Sequence, residues 1–152
     1  KMRASRPDIA LSGDFIVGFP GETEDDFETT VQIVDAVRYA SAYSFKYSPR
    51  PGTPAATMED QIAREVMDER LQRLQERINT YQLAFNRSKV GTDTQVLIER
   101  KGRHEGQMIG KTPWLQSAIV EADVAIGTML DVEITAGGPK SLTAVERIGV
   151  SA

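Results

Sequence analysis

Cysteine is absent from the 152 residues of this chain, and histidine occurs once, as His104. Without cysteine the chain cannot form disulfides, thiolate nucleophiles, iron–sulfur ligation or zinc sites built on sulfur. A single histidine excludes a multi-histidine metal site, and the first ninety or so residues offer no Ser-His-Asp arrangement. We therefore predict neither a catalytic residue nor a metal site within this chain.

Long apolar runs are also missing. No segment approaches the roughly eighteen apolar residues that a membrane span requires, and residues 1–7 lead into no signal-like stretch. We expect a soluble, cytoplasmic protein with no membrane partner. The net charge of −4 argues against a protein that coats nucleic acid, because phosphate contacts need concentrated Lys and Arg. Any RNA binding must come from a local patch.

Residues 1–58 have the pattern of a βαβ unit. A mostly apolar run over residues 9–19 is typical of a parallel strand that is covered on both faces. Thr23 and the acids that follow it indicate a helix N-terminus. The apolar residues of that helix recur at helical spacing and are Phe27, Val31, Val34 and Val37. A second strand is predicted over residues 42–47, and two short strands with one helix cannot enclose a complete α/β core.

A stiff loop and a long helix connect this unit to the rest of the chain. Three prolines between Ser48 and Pro54 remove amide donors and fix the backbone direction. From Glu59 to Lys89 the apolar residues recur in steps of three to five, which predicts one amphipathic helix about 45 Å long. We treat residues 59–90 as a connecting segment.

Gly91 is expected to end this helix, and five short β-like segments follow at the spacing of a small barrel. They cover residues 94–99, 107–112, 116–120, 128–135 and 141–146. In the fourth segment Leu130, Val132 and Ile134 alternate with polar residues, as in a half-buried strand. A five-stranded, all-β barrel of the oligonucleotide-binding type fits residues 91–147.

The Gly18–Thr23 turn lies where a strand turns into a helix, a position at which α/β proteins bind nucleotides. The acids at the start of the helix would repel a phosphate, which disfavours a phosphate site. Two interpretations stay open: a glycine turn that allows close packing between helix and strand, or a surface for a neutral adenosine. In the next loop Arg50 lies on a stiff backbone between prolines, which suits a fixed contact with a carboxylate or a phosphate.

A basic cluster occupies the loop predicted after the first barrel strand. The candidate RNA-binding residues are Arg100, Lys101, Arg103 and His104 in this cluster, Lys111 on the next strand, and Trp114 and Gln116 at the following turn. Cations beside an exposed aromatic suit phosphate contacts and base stacking with single-stranded or loop RNA. The alternative of a solvated loop with Trp114 in the core stays open, because residues 91–147 contain eight acids against six bases.

Three motifs resemble the radical S-adenosylmethionine methylthiotransferases of the MiaB type, which modify tRNA. The motifs are DFIVGFPGET at residues 14–23, YSPRPGTPAA at residues 47–56 and FNRSKVG at residues 85–91, and the tail GGPKSL at residues 137–142 also matches. The resemblance covers nearly the whole chain in order. It implies an N-terminal methylthiotransferase domain, a central radical barrel and a C-terminal RNA-binding domain called TRAM. S-adenosylmethionine and two 4Fe-4S clusters, held by cysteines of the first two domains, are the implied cofactors.

Because all of the cluster cysteines are absent, the resemblance implies a fragment that begins inside the radical barrel. The expected fold is an α/β remnant of that barrel, a long helix, and TRAM at residues 91–147. Ile16, Gly18 and Phe19 correspond to positions near the adenosine of S-adenosylmethionine. Tyr47, Ser48 and Arg50 correspond to the border of the same cavity. The fragment alone is expected to bind no cofactor and to be inactive.

The resemblance also implies a reaction and partners. The full-length enzyme would methylthiolate C2 of N6-isopentenyladenosine beside the anticodon. Relatives that modify a ribosomal protein usually carry two acids where this chain has Arg50 and Pro51, which favours tRNA as the substrate. The expected partners are tRNA and the missing N-terminal domains of the same protein, and open strand edges predict a homodimer of the fragment.

Other functions stay open at this point. One is a stand-alone RNA-binding module whose helix docks a partner protein, and another is a structural dimerisation fragment. A methylthiotransferase that acts on another tRNA adenosine derivative, or on a ribosomal protein, is also consistent with the motifs. The two-stranded parallel portion favours the enzyme fragment, because an independent module should not end in open edges.

Overall fold

The structure is a computed structural model and describes residues 1–147. Its elements in chain order are helix α1 (Met2–Ser5), strand β1 (Ser12–Val17), helix α2 (Glu24–Val37), strand β2 (Ser41–Lys46), a 3-10 turn (Pro54–Thr57), helix α3 (Arg64–Ser88) and strands β3 (Asp93–Lys101), β4 (Gln107–Lys111), β5 (Ser117–Glu121), β6 (Met129–Gly137) and β7 (Leu142–Glu146). They form two compact units. The α/β unit is Leu11–Tyr81, and the barrel unit is Lys1–Ala10 with the chain from Gln82 onward.

The α/β unit contains the predicted βαβ arrangement. Strands β1 and β2 pair in parallel, from Ser12 opposite Ser41 to Val17 opposite Lys46, and α2 connects them. Helix α2 begins with a capping box, in which the Thr23 hydroxyl accepts from the Asp26 N–H and the Asp26 carboxylate accepts from the Thr23 N–H. The buried core of the unit consists of Val17, Phe27, Val34, Leu74 and Ile78.

The two-stranded sheet is covered on one face only, which corrects the prediction of a strand buried on both faces. Side chains alternate along β1, so Phe15 and Val17 face the core while Ile16 faces away from it. On the uncovered face Ile16 is 58% exposed, Phe45 54% and Tyr43 68%. We call these three residues the open face. Strand β1 also begins at Ser12, not at Ile9, and ends before Phe19.

Helix α3 begins at Arg64, five residues later than predicted from the apolar spacing. The preceding residues make other hydrogen bonds. The Asp60 carbonyl accepts from the Gly21 N–H at 2.8 Å, and the Gln61 side chain donates to the carbonyls of Ala55 and Met58. These bonds hold the segment against the Gly18–Thr23 turn and the proline-rich loop, so it is not free to join the helix.

The barrel unit contains the predicted five-stranded barrel. The strands close in the order β3-β4-β5-β7-β6, with β6 paired back to β3. Only the β5–β7 pairing is parallel among the strand pairs of residues 93–146. The inward side chains form one buried cluster: Val96, Ile98, Met108, Ala118, Val120, Leu130, Val132, Ile134, Leu142 and Ala144. Arg100 and Lys101 belong to β3 itself, whereas the sequence predicted them in the following loop.

The compact units divide the chain differently from the predicted segments 1–58, 59–90 and 91–147. Helix α3 belongs to the α/β unit up to Tyr81, because Leu74 and Ile78 are part of its core. From Gln82 onward the helix belongs to the barrel unit. There Asn86 is fully buried and donates a hydrogen bond of 2.7 Å to the Gly138 carbonyl.

Candidate functional sites

A largely apolar cavity of about 560 Å³ lies in the α/β unit beside the open face. Five of the six residues predicted near a cofactor line it, namely Ile16, Phe19, Tyr47, Ser48 and Arg50. The rest of its lining is Phe45, Lys46, Thr53 and Ala55. Phe19 and Tyr47 make an edge-to-face contact with ring centroids 5.3 Å apart. The volume and the apolar lining with few polar groups are those of a small-molecule site.

Gly18, the sixth predicted residue, does not line this cavity. Its φ of +72° is in the left-handed region, and a Cβ there would lie 2.2 Å from Cγ of Met67 on α3. Its N–H donates to the Glu22 carboxylate at 2.9 Å. Gly18 therefore allows the Gly18–Thr23 turn to pack closely against helix α3.

Two arginines of α3 compensate the acids at the start of α2. Arg70 is only 5% exposed and donates to the Glu22 carboxylate at 2.8 Å and to the Glu22 carbonyl at 3.0 Å. Arg73 donates to Glu24 at 2.6 Å, and this hydrogen bond lowers the pKa of the Glu24 carboxyl below its usual value. The sequence reasoning missed this network. The three-residue spacing of the arginines on one helix face was the available signal.

The Tyr47 hydroxyl is a polar group without a hydrogen-bond partner in the described residues. Its oxygen is buried and has no hydrogen-bond partner among residues 1–147. A buried hydroxyl without a partner is unfavourable, and no described residue relieves it. The apolar side chains of Ile16, Phe19 and Phe45 suit packing against the face of a flat ring system. Ser48 and Arg50 are exposed and could contact charged or polar atoms of a bound molecule.

On the barrel, the predicted RNA-binding residues fall into two groups at opposite ends of β4. Arg100, Lys101, Arg103 and His104 are all exposed, at the end of β3 and in the β3–β4 loop. We call these four residues the basic loop. Lys111 is the last residue of β4, about 13 Å along the strand from its first residue, and donates to the Ser117 hydroxyl at 3.0 Å.

The second group lies at the β4–β5 hairpin, residues 112–116. Trp114 is half-buried and lies outside the buried cluster of the barrel, with its ring edge-on to Phe85 at a centroid distance of 6.4 Å. The Lys89 ammonium lies 4.5 Å from the Trp114 ring centroid and 4.7 Å from that of Phe85. Lys89 is a cation that the sequence reasoning missed, although it follows Phe85 by four residues, a spacing at which side chains at the end of a helix can meet.

Gln116 differs from its predicted role as a surface contact. It is 4% exposed, and its carbonyl accepts hydrogen bonds from the Thr112 N–H at 3.1 Å and from the Thr112 hydroxyl at 3.3 Å. These bonds close the hairpin. Because its side chain is buried, we exclude Gln116 from the candidate RNA surface.

Strands β5 and β7 line a shallow depression of about 290 Å³ that carries the carboxylates Glu121 and Glu146 beside Ile119 and Val145. The cations of the basic loop and Lys111 lie on β3, on β4 and in the loop between them, with Glu99 and Glu105 among them. A polyanion would be repelled from the carboxylates of the β5–β7 side, and on the β3–β4 side it would be attracted to individual exposed cations.

Comparison with known proteins identifies the barrel and relates the whole chain to one group of enzymes. The TRAM domain model matches residues 87–145. The tRNA-2-methylthio-N(6)-dimethylallyladenosine synthase of Erythrobacter litoralis is 66% identical over 142 residues, which are 93% of this chain and 32% of that protein. The synthase of the same name from Sphingopyxis alaskensis is 65% identical over 145 residues, 95% of this chain and 33% of the relative.

The Zymomonas mobilis synthase is 57% identical over 142 residues. The chain thus spans about a third of the length of these curated relatives. The chain is therefore similar to the C-terminal third of these synthases, and residues 87–145 match the TRAM domain.

Proposed function

We propose that this chain supplies the tRNA-binding part and one wall of the S-adenosylmethionine cavity of a tRNA methylthiotransferase. The longer protein would methylthiolate C2 of N6-isopentenyladenosine beside the anticodon, in the cytoplasm. The observation that carries the proposal is the exposed basic loop on a closed barrel, within the segment that matches TRAM. The names of the relatives, which act on a tRNA adenosine derivative, support the substrate.

In this proposal the basic loop and Lys111 contact tRNA phosphates, and the acidic β5–β7 side faces away from the RNA. Phosphate contacts by Lys and Arg fix the position of an RNA without reading its sequence. Trp114, which is half-buried, would contribute the exposed part of its indole to the contact with RNA. The His104 imidazole, also in the basic loop, adds a hydrogen-bond donor.

For S-adenosylmethionine, Ile16 and Phe19 would pack against the adenine, and Tyr47 would form part of the same wall. Ser48 and Arg50 would contact its charged or polar end. When bound in the longer protein, S-adenosylmethionine would supply the radical and methyl chemistry of the reaction. The residues of this chain would exclude water from the adenosyl group and fix its orientation. The two 4Fe-4S clusters would be ligated outside these residues, which include no cysteine.

The open face would pack against the portion of the longer protein that this chain does not cover. Ile16, Tyr43 and Phe45 each expose more than half of their surface there. Apolar area of this kind is worth about 25 cal/mol per Å² when it is buried. The same face is available for self-association when the chain is alone.

The RNA-binding proposal is tested by replacing Arg100, Lys101, Arg103 and Lys111 with Ala. We expect the 152-residue chain to bind tRNA more weakly and with a shallower salt dependence. The slope should decrease by about one for each phosphate whose cation is removed. Fluorescence anisotropy with labelled tRNA over a series of salt concentrations measures both quantities.

Single variants provide a matched control. Arg103→Ala removes an exposed cation from the basic loop and should reduce the slope. Arg147→Ala removes a cation that is already paired with Asp93 at 2.8 Å and with Glu133 at 3.2 Å, and it should leave the slope unchanged. An unchanged slope in the quadruple variant would exclude the basic loop as the RNA surface.

A further inference from the structure

At the tip of the β4–β5 hairpin a leucine occupies the position where a three-residue hairpin loop needs a left-handed residue, which is ordinarily glycine. Leu115 has a φ of +63°, in the left-handed region, and its side chain is 73% exposed. Within residues 1–147, Arg38 at the C-cap of α2 is the only other residue besides glycine with a positive φ. A left-handed conformation costs stability for a side chain such as leucine, and an exposed leucine recovers little of it by packing. Glycine or asparagine would suit the turn better.

Strained residues that persist in a structure often belong to functional sites. The surroundings of Leu115 indicate which function. Trp114 precedes it, and Lys89 lies over the Trp114 ring at 4.5 Å. Lys111, four residues before Leu115, ends β4 and is bonded to Ser117. The exposed leucine therefore follows directly in sequence an indole whose ring carries an ammonium group.

This combination matches an unpaired nucleotide. The face of a base is apolar and accepts packing by aliphatic or aromatic side chains, while its flanking phosphates attract cations. Lys89 is held in place by two rings, since its ammonium lies within 5 Å of the centroids of both Phe85 and Trp114. A cation fixed in this way loses less conformational freedom when it contacts a phosphate.

We propose that the β4–β5 hairpin tip is a second RNA contact, separate from the basic loop, in which Leu115 packs against the face of an unpaired base. Lys89 contacts a phosphate next to that base, and Trp114 positions Lys89. The proposal rests on RNA being the substrate of the barrel. It adds a preference for unpaired over duplex RNA, which phosphate contacts by the basic loop do not give.

The decisive variant is Leu115→Gly. Glycine adopts a positive φ without strain, so the barrel should unfold at the same or a higher temperature than in the wild-type chain. At the same time the affinity for an RNA hairpin with an unpaired loop should fall about fivefold or more, in line with the removal of one base contact. The affinity for a fully paired duplex of the same stem should stay unchanged. Fluorescence anisotropy and thermal unfolding measure the two effects.

Trp114 provides an independent signal, because it is the only tryptophan of the chain. Binding of the unpaired loop should change its fluorescence, and the duplex should change it less. Val145→Thr is the matched control. Val145 is an exposed apolar residue, 47% exposed, on the acidic β5–β7 side, and its replacement should leave both affinities unchanged.

The outcomes separate this inference from the function it rests on. If the wild-type chain binds RNA through the basic loop, but Leu115→Gly binds the hairpin equally well, the hairpin tip is not an RNA contact. Lower thermal stability of Leu115→Gly would also overturn the inference, because it would assign the side chain a packing role. If the wild-type chain binds neither RNA, the proposed function fails as well.

Discussion

The two compact units bury their apolar side chains by different means. In the barrel unit five strands close on one another, and every inward side chain of the central cluster is buried. In the α/β unit two strands leave a sheet with one bare face, where Ile16, Tyr43 and Phe45 are exposed. A closed sheet has no edge and needs no neighbour, whereas an open parallel pair does. We therefore expect the barrel unit, whose sheet is closed, to be stable without a neighbour, and the α/β unit, whose sheet is open, to need one. The closure of the sheet matters more here than the composition of its strands.

The two units also differ in how polar groups contribute to their stability. The barrel is joined mainly by backbone pairing between strands. The α/β unit depends on side-chain ion pairs between the start of α2 and α3, with Arg70 and Glu22 nearly buried. A buried ion pair is costly to break, because the remaining charge has no partner and little water. The α/β unit should therefore be the more sensitive of the two to a single charge change.

Among the predictions, Arg70→Ala should have the largest effect, and this effect is on the stability of the α/β unit. The substitution leaves Glu22 without its cation, and we expect the α/β unit to lose about 3 kcal/mol of stability. Urea unfolding can follow the units separately. Far-UV circular dichroism reports mainly α2 and α3, and the fluorescence of Trp114 reports the barrel unit. Only the helical transition should shift.

The matched control is Arg77→Ala. Arg77 pairs with Asp35 at 3.1 Å, but its side chain is half exposed, so its removal should cost less than about 1 kcal/mol. A shift of the Trp114 transition by Arg70→Ala would show that the two units unfold together. Equal effects of the two variants would show that burial does not set the cost.

A smaller effect is expected on association. The chain studied alone should form a homodimer at micromolar concentration through the open face, since pairing of two such faces removes apolar area from water. Tyr43→Lys with Phe45→Lys should give a monomer, and Val145→Lys on the barrel should not change the association. Analytical ultracentrifugation measures the state. A monomeric wild-type chain with an intact helical signal would contradict the idea that the open face needs a partner.

The smallest expected effect is a loss of stability of the α/β unit at acidic pH. Hydrogen bonds from Arg73 to Glu24, from Lys46 to Asp68, and within the capping box to Asp26 lower the pKa values of these carboxyls from 4.5, 3.8 and 3.8. A pKa that is lower in the folded state gives stability above the unfolded value, and this stability is lost as the pH falls through the folded one. All three groups belong to the α/β unit. Its helical signal should weaken below about pH 4.5, as circular dichroism during acid titration would show.

Local signals in the sequence predicted much of the fold. Thr23 and the acids after it predicted the start of α2, and alternation at Leu130, Val132 and Ile134 predicted the inward face of β6. These features depend on residues close in sequence. The start of α3 was wrong because Asp60 and Gln61 bond to residues outside the helical pattern. Sequence periodicity does not contain such contacts.

The candidate sites were predicted less completely. Five of the six residues predicted near a cofactor share a cavity, whereas Gly18 faces Met67 across the turn. Met67 of α3 approaches Gly18, and Arg70 pairs with Glu22. The two residues of each pair are more than forty positions apart in the sequence. On the barrel, the loop sequence identified cations but could not reveal that β4 separates them from Trp114. Nor could it show that Leu115 has a positive φ.

The hydrogen bonds and close contacts between α3 and the β6–β7 loop determine where the barrel can be separated from the rest of the protein. Gly137 approaches Asn86 so closely that a Cβ would lie 2.5 Å from the Asn86 backbone, and the Gln82 side chain donates to the Pro139 carbonyl at 2.9 Å. The boundary of the TRAM match at residue 87 passes just after these anchors. A barrel grafted onto another protein from that boundary would lose them. The transferable module therefore starts at Gln82 and carries the last two turns of the helix as an integral part.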